Sequence, residues 1–289
     1  MTVKITSTTK LYALIGDPVE HSLSPAMQNT AFQSLGLNYV YLSLRVEPEK
    51  LQQAIEGLRA LNIQGFNVTI PHKVAVIKYL DEVDQHAKDI GAVNTVVNRE
   101  GKLIGYNTDG AAALAVLREG DSDPMGRKVV LLGAGGAAKA LAFHIATIAS
   151  RTVIINRTED SAVGLASSLC RRLKTESVIG RKLTRTTLQK ELRDADILIN
   201  ATPVGMHPNV DETLVDRSLI HSNMTVFDIV YNPVETKLLR EASASGARVI
   251  SGVKMLVYQG ALAFEIWTGR KPPVDSMLKA LTEAMKEDK

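Results

Sequence analysis

A single cysteine, Cys170, stands in a chain of 289 residues, so no internal disulfide can brace the fold. It lies in a helical stretch with no His or Asp motif beside it and reads as a packing residue. No apolar run reaches the roughly 18 residues that a membrane span needs, so no membrane partner is expected. Met1 to Lys10 are polar and lack the apolar segment of a secretion signal, which predicts a cytoplasmic location. The six histidines, His21, His72, His86, His144, His207 and His221, include no i, i+4 pair with a glutamate between, and no metal is expected. The net charge of +3 is not concentrated on one element, which argues against a nucleic-acid partner. The densest basic stretch, 181–193, reads as a solvated loop and helix face, and the small positive excess helps to gather anionic ligands. Internal repeats and low-complexity tracts are also missing.

What is present is the balance of a globular chain, 45% hydrophobic and 22% charged, long enough for two units that each bury a core. Short apolar or alternating runs trade places with amphipathic helical runs, the pattern of an α/β protein with largely parallel sheets. Strands are expected at 11–15, 39–46, 66–70, 128–132, 152–156, 197–200, 225–229 and 248–250, and helices at 24–35, 48–61, 136–148 and 159–173. The stretch 119–126, where Gly, Asp, Ser and Pro crowd together, is the linker candidate. The segment 253–267 carries Leu256, Ala263, Ile266 and Trp267, and a helix this apolar must pack on something. The reading is therefore a discontinuous substrate-binding and catalytic domain, 1–109 with 253–289, and an inserted dinucleotide-binding domain, 110–252.

The apolar run at 128–132 leads into Gly133, Ala134, Gly135, Gly136, Ala137 and Ala138, a G-x-G-x-x-A pattern. Gly133 would make the tight turn, Gly135 would let the backbone approach a pyrophosphate, and Ala138 would let the helix sit close to the sheet. The phosphates would meet free N–H groups at the positive end of that helix. The next strand ends at Asn156, Arg157 and Thr158, where an NAD enzyme usually places an acidic residue for the ribose 2′-hydroxyl. Arg157 offers a planar guanidinium for a 2′-phosphate instead, which favours NADP and leaves NAD the weaker alternative. Glu159 and Asp160 follow and weigh against this unless they serve the helix N-terminus.

Two hydroxyls stand in Ser22-Leu23-Ser24-Pro25. Ser24 as helix N-cap and Pro25 at the first helical position need no function, whereas Ser22 has no such structural role, and the pair would suit a carboxylate. In Asn67-Val68-Thr69-Ile70-Pro71-His72-Lys73, alternation puts Phe66, Val68 and Ile70 on one face and Asn67 and Thr69 on the other. Pro71 would start a helix with Lys73 in its first turn, where a cation is disfavoured, so a functional reading competes with that of a lysine swinging into water. Asp109 before Gly110 fits a turn or a helix cap as well as a site. Gln259, on the apolar stripe of its helix, needs a polar partner.

With Gly91-Ala92-Val93-Asn94-Thr95, Asn107-Thr108-Asp109-Gly110, Asn200-Ala201-Thr202-Pro203-Val204-Gly205-Met206, Asp228-Ile229-Val230-Tyr231-Asn232-Pro233 and Tyr258-Gln259-Gly260-Ala261, these motifs resemble the shikimate dehydrogenase family, which includes shikimate and quinate dehydrogenases, along nearly the whole chain. The resemblance implies an open α/β substrate domain and a Rossmann domain facing each other across a cleft. It implies that Ser22, Ser24, Thr69, Asn94, Asp109, Tyr231 and Gln259 surround the substrate, that Lys73 is catalytic, and that Ile229 and Gly252 lie near the nicotinamide. NADP-using members often carry a second basic residue after Arg157, and here Asp160, Ser161 and Ala162 occupy that region.

The reaction implied is NADPH-dependent, reversible reduction of 3-dehydroshikimate to shikimate, a step toward chorismate and the aromatic amino acids. Lys73 would supply the proton as general acid and Asp109 would hold the ammonium and hydroxyl in register; sequence does not decide which of them formally transfers it. The alternatives are a broader quinate/shikimate dehydrogenase using NAD or NADP, and a non-catalytic metabolite-binding regulator, which the presence of both Lys73 and Asp109 disfavours. The expected partner is a small molecule, and a homodimer is left open.

Overall fold

The run Lys10–Gly16 forms β1, whose last five residues are all buried, the mark of a strand covered on both faces. The computed structural model describes residues 5–287, so Met1 to Lys4 of the polar N-terminal stretch and the last two residues of the C-terminal segment lie outside the described residues. The chain forms two compact units, 1–108 together with 257–289, and 109–256.

In the first unit β1 is followed by α1 (Ser24–Ser34), β2 (Tyr39–Arg45), α2 (Leu51–Ala60), β3 (Gly65–Val68), a short β4 (Glu82–Val83), α3 (Gln85–Ile90), β5 (Thr95–Arg99) and β6 (Lys102–Tyr106). The sheet order is β2-β1-β3-β5-β6-β4. β1 pairs in parallel with β2 and β3, and β4 with β6, while β5 runs antiparallel to both β3 and β6, so this sheet is mixed, with parallel pairs in the majority. The β5–β6 hairpin turns at Glu100 and Gly101, both at positive φ (53° and 90°), the backbone of a tight hairpin turn. Ala13, Ile15, Phe66, Val68 and Val96 of the sheet pack with Ile55 and Leu58 of α2 to make the core.

Three local expectations are corrected in this unit. The strand expected at 66–70 stops at Val68, and Ile70 is 46% exposed instead of sharing the buried face of Phe66 and Val68. Pro71 starts no α-helix: turns occupy 71–74 and a 3-10 helix follows at Ala75–Tyr79, so Lys73 lies ahead of the helical segment. The helix expected from residue 48 begins as a 3-10 turn, Pro48–Lys50, before α2.

The second unit contains α4 (Asp109–Glu119), β7 (Lys128–Leu132), α5 (Gly136–Ala146), β8 (Arg151–Asn156), α6 (Glu159–Leu173), β9 (Val178–Lys182), α7 (Arg185–Leu192), β10 (Ile197–Asn200), β11 (Thr225–Asp228), α8 (Lys237–Ala244) and β12 (Arg248–Ser251). All its strand pairs are parallel, in the order β12-β11-β10-β7-β8-β9, the Rossmann order with its reversal between β7 and β10. Val130, Leu132, Val153, Leu198 and Val226 of the sheet meet Leu188 and Leu239 in the core.

The linker candidate 119–126 lies inside this unit as the α4–β7 loop. It is tied down: Ser122 is fully buried, and its Oγ bonds the Gly120 carbonyl at 3.0 Å and Thr225 Oγ1 at 2.9 Å. The basic stretch 181–193 is not only loop and helix face, because Arg181 and Lys182 end β9, and Thr184 then caps α7 by accepting from the Thr187 N–H at 3.0 Å. Cys170 of α6 is half-buried, with its thiol donating to the carbonyl of Val178 in β9 at 3.3 Å.

α9 (Val253–Thr268) begins in the second unit and continues into the first, where α10 (Val274–Glu287) follows and packs on α1. Trp267 of α9 donates from Nε1 to the Val96 carbonyl at 2.9 Å. Gly65 makes room for it, since a Cβ there would lie 2.5 Å from Nε1.

Candidate active site

In the second unit every expected cofactor residue lies at or just beyond the carboxyl end of a strand. β7 delivers Gly133 at φ +109°, a backbone that side chains rarely adopt, and a Cβ there would sit 2.9 Å from the Ala201 carbonyl oxygen. A Cβ at Gly135, by contrast, would meet nothing within 4 Å, so the space above this backbone is open. Gly135 is the N-cap of α5 and offers no capping side chain, and the first-turn N–H groups of Gly136 and Ala137 have no acceptor one turn earlier in the helix. Ala138 is fully buried against the sheet. Together with Ala134, these residues form a cradle that fits a pyrophosphate.

β8 ends at Asn156, whose Nδ2 donates to the Thr158 carbonyl at 3.0 Å and shapes the turn that carries Arg157. Arg157 and Thr158 are exposed, and among the described residues no carboxylate lies within ion-pair reach of Arg157. Glu159 and Asp160 occupy the first turn of α6, where negative charge is stabilising, so they have a structural role of their own.

Ile229 and Tyr231 follow β11, and Gly252 follows β12. A Cβ at Gly252 would come within 2.3 Å of the Ile229 carbonyl oxygen, so glycine is what lets these two segments meet. Asp228 received no role in the sequence reading, yet it anchors this region. Its side chain is fully buried, with Oδ1 accepting from Asn200 Nδ2 at 2.9 Å and from the Val230 N–H at 3.0 Å, and Oδ2 accepting from Thr236 Oγ1 at 2.7 Å. Burial pushes its carboxyl up to about 6, against the pull of those three donors. The available signal was an aspartate closing the apolar run Thr225–Asp228, a place where a carboxylate must find donors.

In the first unit the sheet register puts the substrate candidates along one edge. Ile15 pairs with Val68, Asn67 with Thr95, and Thr95 with Tyr106, so the segments after β1, after β3, before β5 and after β6 emerge together. They carry Ser22 and Ser24, Thr69 and Lys73, Asn94, and Thr108 respectively. Asp109, the next residue in the chain, opens α4 in the second unit and is buried.

Ser24 is not an N-cap: the cap position is Leu23, Ser24 is already helical, and no side chain caps the helix. Ser22, expected to lack a structural role, has one, because its Oγ accepts from the Ser24 N–H at 3.3 Å. Ser24 is buried and Ser22 half-buried. The segment around Lys73 is fixed by its backbone, whose carbonyl accepts from the Val93 N–H at 2.7 Å, while the side chain is half-buried. Thr69 closes against Gly16, where a Cβ would lie 2.3 Å from the threonine methyl.

Asn94 gathers the edge. Its Oδ1 accepts from the Thr108 N–H at 2.9 Å and from Thr95 Oγ1 at 3.1 Å, and its Nδ2 donates to Thr108 Oγ1 at 2.9 Å and to Gln259 Oε1 at 3.4 Å. Asn94 is thus the polar partner that Gln259 required. Thr108 also donates to the Gln259 carbonyl at 3.0 Å, and Gln28 of α1 donates to the Gly260 carbonyl at 2.9 Å, which brings α9 to this edge. Sequence reasoning gave no role to Asn67, Thr108 or Gln28, all buried polar residues that hold this arrangement.

A Rossmann-ordered unit with a pyrophosphate cradle, and a unit whose strand edge collects hydroxyls, amides and a lysine, define a two-unit dinucleotide-dependent oxidoreductase. Residues 14–96 match the shikimate dehydrogenase substrate binding domain, 117–243 the shikimate/quinate 5-dehydrogenase family, and 252–282 the shikimate 5′-dehydrogenase C-terminal domain. The chain is 52% identical to the shikimate dehydrogenase (NADP(+)) of Methanopyrus kandleri over 290 residues, 99% of each chain, and 50% identical to that of Methanosarcina mazei over 279 residues, 96% of this chain and 99% of the other. A crystal structure of a shikimate dehydrogenase in complex with NADP+ superposes with a TM-score of 0.91 at 45% identity, covering 98% of both chains. The chain belongs to the shikimate dehydrogenase family.

Proposed function

We propose that this chain catalyses the reversible NADPH-dependent reduction of 3-dehydroshikimate to shikimate, in the pathway to chorismate and the aromatic amino acids. The observation that carries the reading is the likeness to NADP-dependent shikimate dehydrogenases along 99% of the chain, and the open glycine turn after β7 agrees with it. The cofactor-binding set is Gly133, Ala134, Gly135, Gly136 and Ala137 for the pyrophosphate, Asn156, Arg157 and Thr158 for the ribose phosphate, and Ile229 and Gly252 for the nicotinamide end. NADPH, when bound, supplies the hydride.

On the substrate side, Ser22 and Ser24 bind the carboxylate, and Thr69, Asn94, Tyr231 and Gln259 bind the ring substituents. At 3.4 Å the Asn94 Nδ2 contact to Gln259 Oε1 is long for a hydrogen bond, so that amide hydrogen can turn to a substrate oxygen at little cost. Lys73 donates the proton to the oxygen that becomes a hydroxyl, and Asp109 orients the ammonium and that hydroxyl; in the oxidation direction Lys73 takes the proton back. The substrate is a small molecule, and the location is cytoplasmic. Among the described residues no helix is long and apolar enough to cross a membrane.

The test is a spectrophotometric assay with shikimate and quinate against NADP and NAD. Shikimate with NADP is expected to be the efficient pair. Quinate carries a hydroxyl on the carbon bearing the carboxylate, and leaving that hydroxyl buried and unpaired costs about 1 to 3 kcal/mol. An efficiency with quinate equal to or above that with shikimate would replace this reading with a quinate/shikimate dehydrogenase.

A further inference from the structure

Asp228 is a buried carboxylate with no part in the reaction described above, yet its three donors come from three different segments of the second unit. Asn200 ends β10, Val230 lies between Ile229 and Tyr231, and Thr236 is the N-cap of α8, accepting in turn from the Leu239 N–H at 3.3 Å. Asn200 extends the connection, because its Oδ1 accepts from the Thr202 N–H at 3.1 Å and from Thr202 Oγ1 at 2.6 Å, and its Nδ2 also donates to the Val204 carbonyl at 3.2 Å. The neighbouring Ala201 carbonyl is the group against which Gly133 must lack a side chain. One carboxylate therefore bonds directly to the 229–231 segment and, through Asn200, fixes the loop that abuts the glycine turn.

We propose that Asp228 is a positioning residue for the dinucleotide, setting the 229–231 segment and, through Asn200, the 201–204 loop against the glycine turn. The proposal rests on reading this unit as the cofactor site. A carboxylate suits the task because all its partners are donors, and a side chain that only accepts can hold three segments at once. A role confined to holding α8 would involve Thr236 alone. The bonds to Val230 and Asn200 are what extend it to the cofactor edge.

The test uses the full chain with Asp228→Ala, Asp228→Asn and Asn200→Ala. NADPH affinity is measured by fluorescence titration, the KM for NADP and kcat are measured with shikimate, and folding is followed by circular dichroism. Asp228→Ala is expected to weaken NADPH binding and raise the KM for NADP by about tenfold or more, with a smaller fall in kcat at saturating cofactor, as loss of charge-assisted positioning bonds implies. Asp228→Asn should restore affinity to within about twofold, because its oxygen still accepts from Asn200 and Val230 while its amide donates to Thr236. Asn200→Ala leaves the Asp228–Thr236 bond in place and should still weaken NADPH binding, and it decides the matter if Asp228→Ala does not fold. Folded Asp228→Ala and Asn200→Ala proteins with wild-type NADPH affinity would overturn the proposal. A wild type that binds NADPH but does not turn over shikimate would instead sink the assigned reaction, leaving the affinity comparison to judge Asp228.

Discussion

Lys73 stands in a run of turns whose backbone is pinned to Val93, the residue before Asn94. Its Cα is therefore fixed relative to the amide cluster, although no helix holds it. Proton transfer matters chiefly in the transition state, so Lys73→Ala should lower kcat by about 10²-fold or more with a modest change in the KM for shikimate. Steady-state kinetics check this, and a variant with near-normal turnover would remove Lys73 from the mechanism. At this scale the sequence was legible where chemistry was out of place, as with the amide on an apolar stripe at Gln259, which meets Asn94, whereas the helical first turn expected around Lys73 is a run of turns. The sequence was illegible where a residue's part lies in whom it meets. Ser22 bonds its neighbour's N–H, Asn94 answers to Thr108 and Gln259, and Asp228 answers to Asn200 and Thr236. Two of these three arrangements join residues 8 to 165 positions apart, which no local pattern records.

In the proposed reading the cofactor is selected at the turn between β8 and α6. Its acidic residues are taken up by the first turn of α6, and Arg157 stands exposed with no carboxylate partner among the described residues. A 2′-phosphate would give it one. Arg157→Ala should harm use of NADPH more than use of NADH by about tenfold or more, the scale of a lost hydrogen bond to a charged group. Rates with the two cofactors compared in parallel check this, and equal losses would make Arg157 structural. The strand, glycine turn and helix from Lys128 onward were readable because burial on both faces leaves an unbroken apolar run and the glycines are demanded by backbone geometry. The β5–β6 hairpin was missed because its strands are five residues each and Asn98, Arg99, Glu100 and Lys102 crowd the turn with polar side chains, so neither short run stands out as a strand. β9 was missed because its Arg181 and Lys182 are exposed at the edge of the sheet and look like loop.

For the molecule as a whole, composition and alternation implied α/β architecture, but strand order arises from how each crossover packs back onto its sheet, and only the structure supplies it. Stability is likewise a property of the whole chain, and one buried group gives it a distinctive dependence on pH. Asp228 is pushed from an ordinary 3.8 to about 6, desolvation being the largest cause. Between about pH 4 and 6 the folded chain holds a proton that the unfolded chain has released. This contribution is therefore fully present below about pH 4 and lost as pH rises through about 6, and the shift amounts to about 3 kcal/mol. The carboxyls of Asp81, Asp194 and Asp216 are held below their ordinary value, chiefly by hydrogen bonds they accept, and act in the opposite sense, losing their contribution as pH falls. Asp228→Asn leaves those three untouched, so they cancel when the variant is compared with the wild type. Urea unfolding followed by far-UV circular dichroism at pH 4 and pH 7 should show the stability difference moving by about 2 kcal/mol in favour of Asp228→Asn at the higher pH. Trp267, the one tryptophan, packs in the first unit and its fluorescence reports that unit, so a separate first-unit transition would be the same in both proteins. A stability difference that does not change between the two pH values would show that Asp228 carries no proton in the folded chain above pH 4.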